Sequence, residues 1–163
     1  VVNYEEIIKG GENDYVEFKV SIRGDFKKQA VNKFLEFIIA KSISAFMNAY
    51  GGRLFVGVSD SGEINGIEND YAVVHNKNKD GFLLQLTQII NQYLGKAFYQ
   101  YINIKIIPMK GKDVCVIEIA KSRTPAFLKN GDKEEFYIRA SASSQPMSMK
   151  EANEYIRTHF DKR

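Results

Sequence analysis

The sequence predicts a single α+β domain, a mixed β-sheet with helices packed on it, and three observations carry that expectation. Residues 15–20 alternate with a period of two, placing Val16, Phe18 and Val20 on one face and Tyr15, Glu17 and Lys19 on the other. Within residues 26–48, Val31, Phe34, Leu35, Ile38, Ile39, Ser42, Ile43 and Phe46 recur at three- and four-residue steps, the signature of one broad helical face. Residues 102–109 and 113–120 read as strands joined through Lys110-Gly111-Lys112, a hairpin.

The remaining elements follow in order. Residues 4–9 form a short entry helix stopped by Gly10-Gly11. The polar loop 21–25 leads into the long helix, about 26–48, where Ala30, Ala40 and Ala45 permit close packing on a sheet. Gly51-Gly52 ends that helix, because glycine tolerates a turn of positive φ. Residues 53–59 read as a buried strand, Asp60-Ser61-Gly62 as a turn, and 63–67 as a short return strand. The polar segment 68–79 is expected as surface loop or irregular helix, and Asp80 as the cap of a helix ended by Gly95. Further strands are expected at 126–129 and 135–139 around the Asn130-Gly131 turn. A small-residue loop, 141–144, then precedes an amphipathic helix over 149–160, with Ala152, Tyr155, Ile156 and Phe160 inward. Neither an internal repeat nor a linker interrupts the chain.

Composition narrows the class. A chain of 163 residues, 44% hydrophobic and 26% charged, can bury a core, which excludes a disordered segment. The single cysteine, Cys115, sits in an apolar run and is expected to be buried and reduced, as in a cytoplasmic protein. No apolar run reaches the ~20 residues a membrane span needs. The chain opens at Val1, without a secretory pattern, which is compatible with a piece of a longer protein. A net charge of +3 permits a nucleic-acid partner without demanding one.

The sharpest chemical cluster is acidic. Glu17 on a strand face, Asp60 at a strand end and Glu12 upstream would, on neighbouring strands, offer oxygen ligands to one Mg²⁺ or Mn²⁺. Lys19, on the same face as Glu17, would stabilise charge developing on a phosphate. Spacing alone favours a plainer reading, with Asp60 a turn residue and Glu17 and Lys19 facing solvent. Arg139, beside Ser141, Ser143 and Ser144, is a candidate phosphate contact. Lys19, Arg23, Lys27 and Lys28 are candidate nucleic-acid contacts, and Tyr15, Tyr50, Tyr99, Tyr101 and Tyr137 candidate stacking surfaces. His75 and His159 are isolated, no Cys/His set has zinc spacing, and neither a nucleophile elbow nor a phosphate-binding P-loop motif is present.

Taken as an ordered set, these pieces resemble the Schlafen-type AlbA-like domain, also called the divergent AAA domain. The matching residues are Glu12 with Val16-Glu-Phe-Lys19, then Ala45-Phe-Met-Asn48 with Gly51 and Gly52. They continue through Leu54-Phe-Val-Gly-Val58 (with Gly57), Asp60-Ser-Gly62 and Gly66-Ile67, and close on Phe136-Tyr-Ile-Arg139 with Ser143 and Ser144. Two positions depart, Ala49 where threonine is usual and Ser141 where glycine is common. The resemblance implies a domain over residues 12–160, with a lead-in at 1–11 and a tail at 161–163. It also implies a nucleic-acid-binding module within a transcriptional regulator or defence protein, and some members are labelled ATP-binding. The animal relatives include endoribonucleases with three carboxylates, at positions matching Glu12, Glu17 and Asp60, and they pair two lobes into one cleft. A single copy would need a homodimer for that shape. The expectation is therefore DNA or RNA binding, with metal-dependent cleavage as the alternative and nucleotide or protein binding third.

Overall fold

The computed structural model describes residues 1–25, 27 and 30–160. A four-stranded mixed sheet is its centre, built from β1 (Val16–Lys19), β4 (Gly52–Val56), β5 (Ile102–Met109) and β6 (Lys112–Ile119) in the order β1-β4-β6-β5. β1 runs parallel to β4, and the β4–β6 and β6–β5 pairs are antiparallel. Two central strands buried on both faces explain the unbroken apolar runs around Phe55 and Val116. One face, with Leu54, Val56, Cys115 and Ile117, packs on α2 (Lys33–Asn48) and α4 (Lys79–Tyr93) through Ile43, Phe46, Phe82 and Leu86. The other, with Phe18, Phe55, Val58 and Val116, is closed by Ile8 of α1 (Tyr4–Lys9). Burial pushes the Cys115 thiol well above its ordinary pKa, so it stays protonated.

A second, three-stranded antiparallel sheet joins β7 (Leu128–Asn130), β8 (Lys133–Ala140) and β9 (Ser143–Met147), with β8 against α2. α5 (Met149–His159) packs Ala152, Tyr155 and Ile156 on Phe136 and Ile138 of this sheet. Its start is a full capping box, in which Ser148 accepts from the Glu151 amide and Glu151 accepts from the Ser148 amide. A short helix, α3 (Glu68–Tyr71), precedes α4. Among the described residues no helix is long and apolar enough to cross a membrane.

Four boundaries differ from expectation. The long helix begins at Lys33, capped by Asn32, and Ala30–Val31 instead pairs as β3 with β2 (Gly24–Asp25). Val31 falls in phase with the helical stripe by coincidence; it is exposed. The predicted helix start at Phe26 lies outside the described residues, as do the tail 161–163 and Lys28. The return strand over 63–67 is a single bridge, Val58 to Ile64. Asn78 rather than Asp80 caps α4, accepting from the Gly81 amide at 2.9 Å. The small-residue loop 141–144 is largely strand: Ser143 and Ser144 belong to β9. Only Ser141 and Ala142 make the turn, both at positive φ, as a two-residue hairpin turn of this kind requires.

Candidate functional site

β1 is an edge strand, so the Phe18 amide has no neighbouring strand on that side, and Glu12 accepts from it at 2.9 Å. This bond folds the segment before β1 back along the strand and brings Glu12 beside Glu17. The period-two alternation of β1 sends Phe18 into the α1 side of the sheet and Glu17 to the side of α2. There β8 lies over it, and Glu17 is buried rather than solvent-facing.

Burial of a carboxylate requires compensation, and two cations supply it. Glu17 Oε1 lies 3.0 Å from Lys19 Nζ, and Glu17 Oε2 lies 3.1 Å from Arg139 Nη2. Arg139 also donates through Nη2 to the Asn13 and Val16 carbonyls, at 2.9 and 3.0 Å. Its guanidinium rests 4.8 Å from the centre of the Phe46 ring. Burial raises the pKa of Glu17, but the hydrogen bond with Glu12 and the charges of Lys19 and Arg139 outweigh it, and the net shift is downward. Glu12 moves upward: burial leads, opposed by the Phe18 amide and reinforced by Glu17 and by the charge of Asp60. The three carboxylates are thus electrostatic neighbours, with the Glu12 carboxyl raised and that of Glu17 lowered. Asp60 itself is exposed in the turn after Val58.

This donor set does not match a hard-cation centre. Both Glu17 oxygens are engaged by cations, a Glu12 oxygen accepts from a main-chain amide, and Asp60 faces solvent. Among the described residues no group of three His, Cys, Asp or Glu is arranged to hold a metal ion.

Several expected phosphate contacts are buried or partly buried and already bonded. Arg139 is committed to β1. Arg23 donates to the Val73 carbonyl at 2.8 Å and sits 3.6 Å from the buried Glu36. Ser143 donates to the Ala140 carbonyl, and the Ser144 hydroxyl is buried. Each of the four thus has a structural role in the fold: Arg139 is buried, and Arg23, Ser143 and Ser144 are partly buried. Lys19 is partly exposed and Lys27 exposed.

The motif residues hold the turns around β4. Asn48 is fully buried; it accepts from the Ala126 amide at 2.8 Å and donates to the Ala126 and Tyr137 carbonyls at 2.9 Å. Gly52 is a close approach, where a Cβ would stand 2.5 Å from the Phe46 ring and 2.7 Å from the Tyr15 carbonyl. Gly57 combines a φ of 95° with the Gly66 backbone 2.8 Å from where a Cβ would be. Gly51, Gly62 and Gly66 also have positive φ. Sequence reasoning missed Asp70, a fully buried carboxylate in a polar stretch with no periodic signal. It accepts from Ser21 Oγ at 2.6 Å, the Ile22 amide at 2.9 Å and the Gly24 amide at 2.8 Å, fixing the loop after β1.

The fold is that of a single α+β domain with a mixed sheet. The family model described as Schlafen, AlbA_2 matches residues 12–148, and the chain belongs to that family. It is similar to a solved protein of Corynebacterium diphtheriae, with a TM-score of 0.62 and 22% identity over 91% of this chain. The likeness covers only 28% of that protein, so this chain spans about a quarter of its length. It is also similar to the N-terminal domain of a RecG-related protein, of the ATP-dependent DNA helicase type, from Nitrosomonas europaea. There the TM-score is 0.54 and the identity 15%, covering 100% of both chains. At these identities the likeness is one of fold.

Proposed function

We propose that this chain is a nucleic-acid-binding module whose carboxylate cluster is structural. The observation that carries this reading is the engagement of both Glu17 oxygens by Lys19 and Arg139. A catalytic cation would have to compete for these oxygens with Lys19 on the same strand and with Arg139, which ties β1 to β8. Membership of the Schlafen AlbA_2 family and the helicase-related description of one fold neighbour support nucleic acid as the partner. Exposed Lys27 and partly exposed Lys19 supply cations for phosphate contacts.

The chain covers about a quarter of one of its fold neighbours, so output as a transcriptional regulator or defence protein would come from further domains. One observation favours the alternative, metal-dependent cleavage of RNA: Glu12, raised first by burial, also feels the charges of Glu17 and Asp60 nearby. The geometry of the donors gives that reading less support than binding.

Affinity for nucleic acid measured across a salt series tests the proposal. Phosphate contacts release counterions, so log K should fall linearly and steeply with log salt. Salt-insensitive binding, or none to any DNA or RNA, would sink it.

A further inference from the structure

A cleft of ≈ 570 Å³ opens at the start of β4, and Tyr15, Tyr50 and Tyr101 line it. We propose that this cleft is a stacking platform for unpaired nucleic-acid bases, which deepens, and rests on, the reading of the chain as a nucleic-acid-binding module. Tyr15 and Tyr50 are 56% and 70% exposed, unusual for rings with so much apolar surface to hide. The Tyr15 carbonyl accepts from the Arg53 amide at 2.8 Å, and the Tyr50 ring meets His159 edge-on at 5.3 Å. Between them the floor is Gly51 and Gly52, which carry no side chain to obstruct a flat ligand.

The charge around the rings suits a polyanion. Lys121 Nζ stands 5.7 Å above the Tyr50 ring. The carboxylate in the cleft, Glu118, is paired with Arg53 at 3.6 Å and Lys105 at 3.5 Å, and accepts from the Tyr4 hydroxyl. Arg53 and Lys105 thus flank this one carboxylate, and Lys121 stands apart over Tyr50. Gln100 and Asn103 add amide donors and acceptors at the rim. Aromatic faces with flanking cations recognise single strands, whose bases are free to unstack; a duplex keeps its base faces covered.

The test is anisotropy of labelled oligothymidylate, a labelled duplex and labelled thymidine monophosphate, against wild type, Tyr15→Ala, Tyr50→Ala and the two Tyr→Phe variants. Exposure of both rings keeps the alanine variants folded, which circular dichroism verifies. The chain has no tryptophan, so quenching of its tyrosine emission by the unlabelled strand gives a second readout. The expected result is a loss of about tenfold in single-strand affinity for each alanine variant, with the phenylalanine variants near wild type and duplex affinity unchanged. Single-strand binding that is indifferent to both alanine substitutions would overturn the cleft and leave the module reading standing. Monophosphate binding as tight as the strand would overturn it in favour of a free-nucleotide site. Failure of wild type to bind either strand or duplex would overturn both proposals together.

Discussion

Arg139 Nη2 donates to Glu17 Oε2 at 3.1 Å across a sequence separation of 122 residues, with the two side chains 1% and 9% exposed. This pair joins the edge strand of the main sheet to the second sheet. Removing one member strands the other in a site built to exclude water. Arg139→Ala should therefore lower stability by about 3–5 kcal/mol in urea unfolding. Arg139→Lys should recover little, since an ammonium lacks the planar group that rests on Phe46 and reaches the Asn13 carbonyl through both Nε and Nη2. A loss under about 1 kcal/mol would contradict this account of the pair.

The same cluster sets a pH dependence. The Glu17 carboxyl lies below its usual value of 4.5, so its contribution is fully present above that pH and is lost as pH falls through the folded value. The Glu12 carboxyl is raised, and its sign is opposite: its contribution is present below pH 4.5 and is lost as pH rises through its folded value. Glu17→Gln should be less stable than wild type at neutral pH and should flatten the acid limb of the stability profile. Glu12→Gln imitates the protonated carboxyl and should be at least as stable as wild type at neutral pH. Denaturation midpoints over the acid range check both, and parallel profiles for all three proteins would refute the coupling.

Asn48 satisfies three main-chain groups of the segment leading to and including β8. Asn48→Ala leaves the Ala126 amide and carbonyl and the Tyr137 carbonyl without it, and should cost at least about 2 kcal/mol in thermal or chemical unfolding. Asn48→Asp should be no better, because it keeps the acceptor and loses both donors.

Asp70 anchors the loop after β1 from a position 46 residues or more away in sequence. Asp70→Ala should release the Ile22 and Gly24 amides, which native-state hydrogen exchange would detect as a loss of protection confined first to that loop. Unchanged protection at both amides would show that the loop holds itself.

What the sequence revealed was local. The alternation of β1, the stripe of α2 and the 110–111 turn are periodic or turn-coded signals that need no partner; they placed β1, the β5–β6 hairpin and the end of α2 closely, but not the start of α2. The start of α2 misled because Val31 continues the helical period while Asn32, three positions before Leu35, is the true cap. Glu17 read as a solvent-facing position because nothing in its own strand announces that β8 will cover it. Arg139 and Ser144 read as phosphate contacts for the same reason, since their burial is decided by tertiary packing. Asp70 was invisible, as a lone carboxylate among polar neighbours carries no period. The tyrosines of the cleft were visible as residue types, but only the fold brings Tyr15, Tyr50 and Tyr101 to one place.

The most direct test of the central claim is incubation of the protein with transfer RNA, single-stranded RNA and duplex DNA, with Mn²⁺ or with EDTA, read on one gel for shift and cleavage. The account predicts a salt-sensitive shift with the nucleic acid intact in both conditions. Cleavage that requires Mn²⁺ and disappears in a folded Glu17→Ala variant would contradict it, and would return Glu12, Glu17 and Asp60 to a catalytic role.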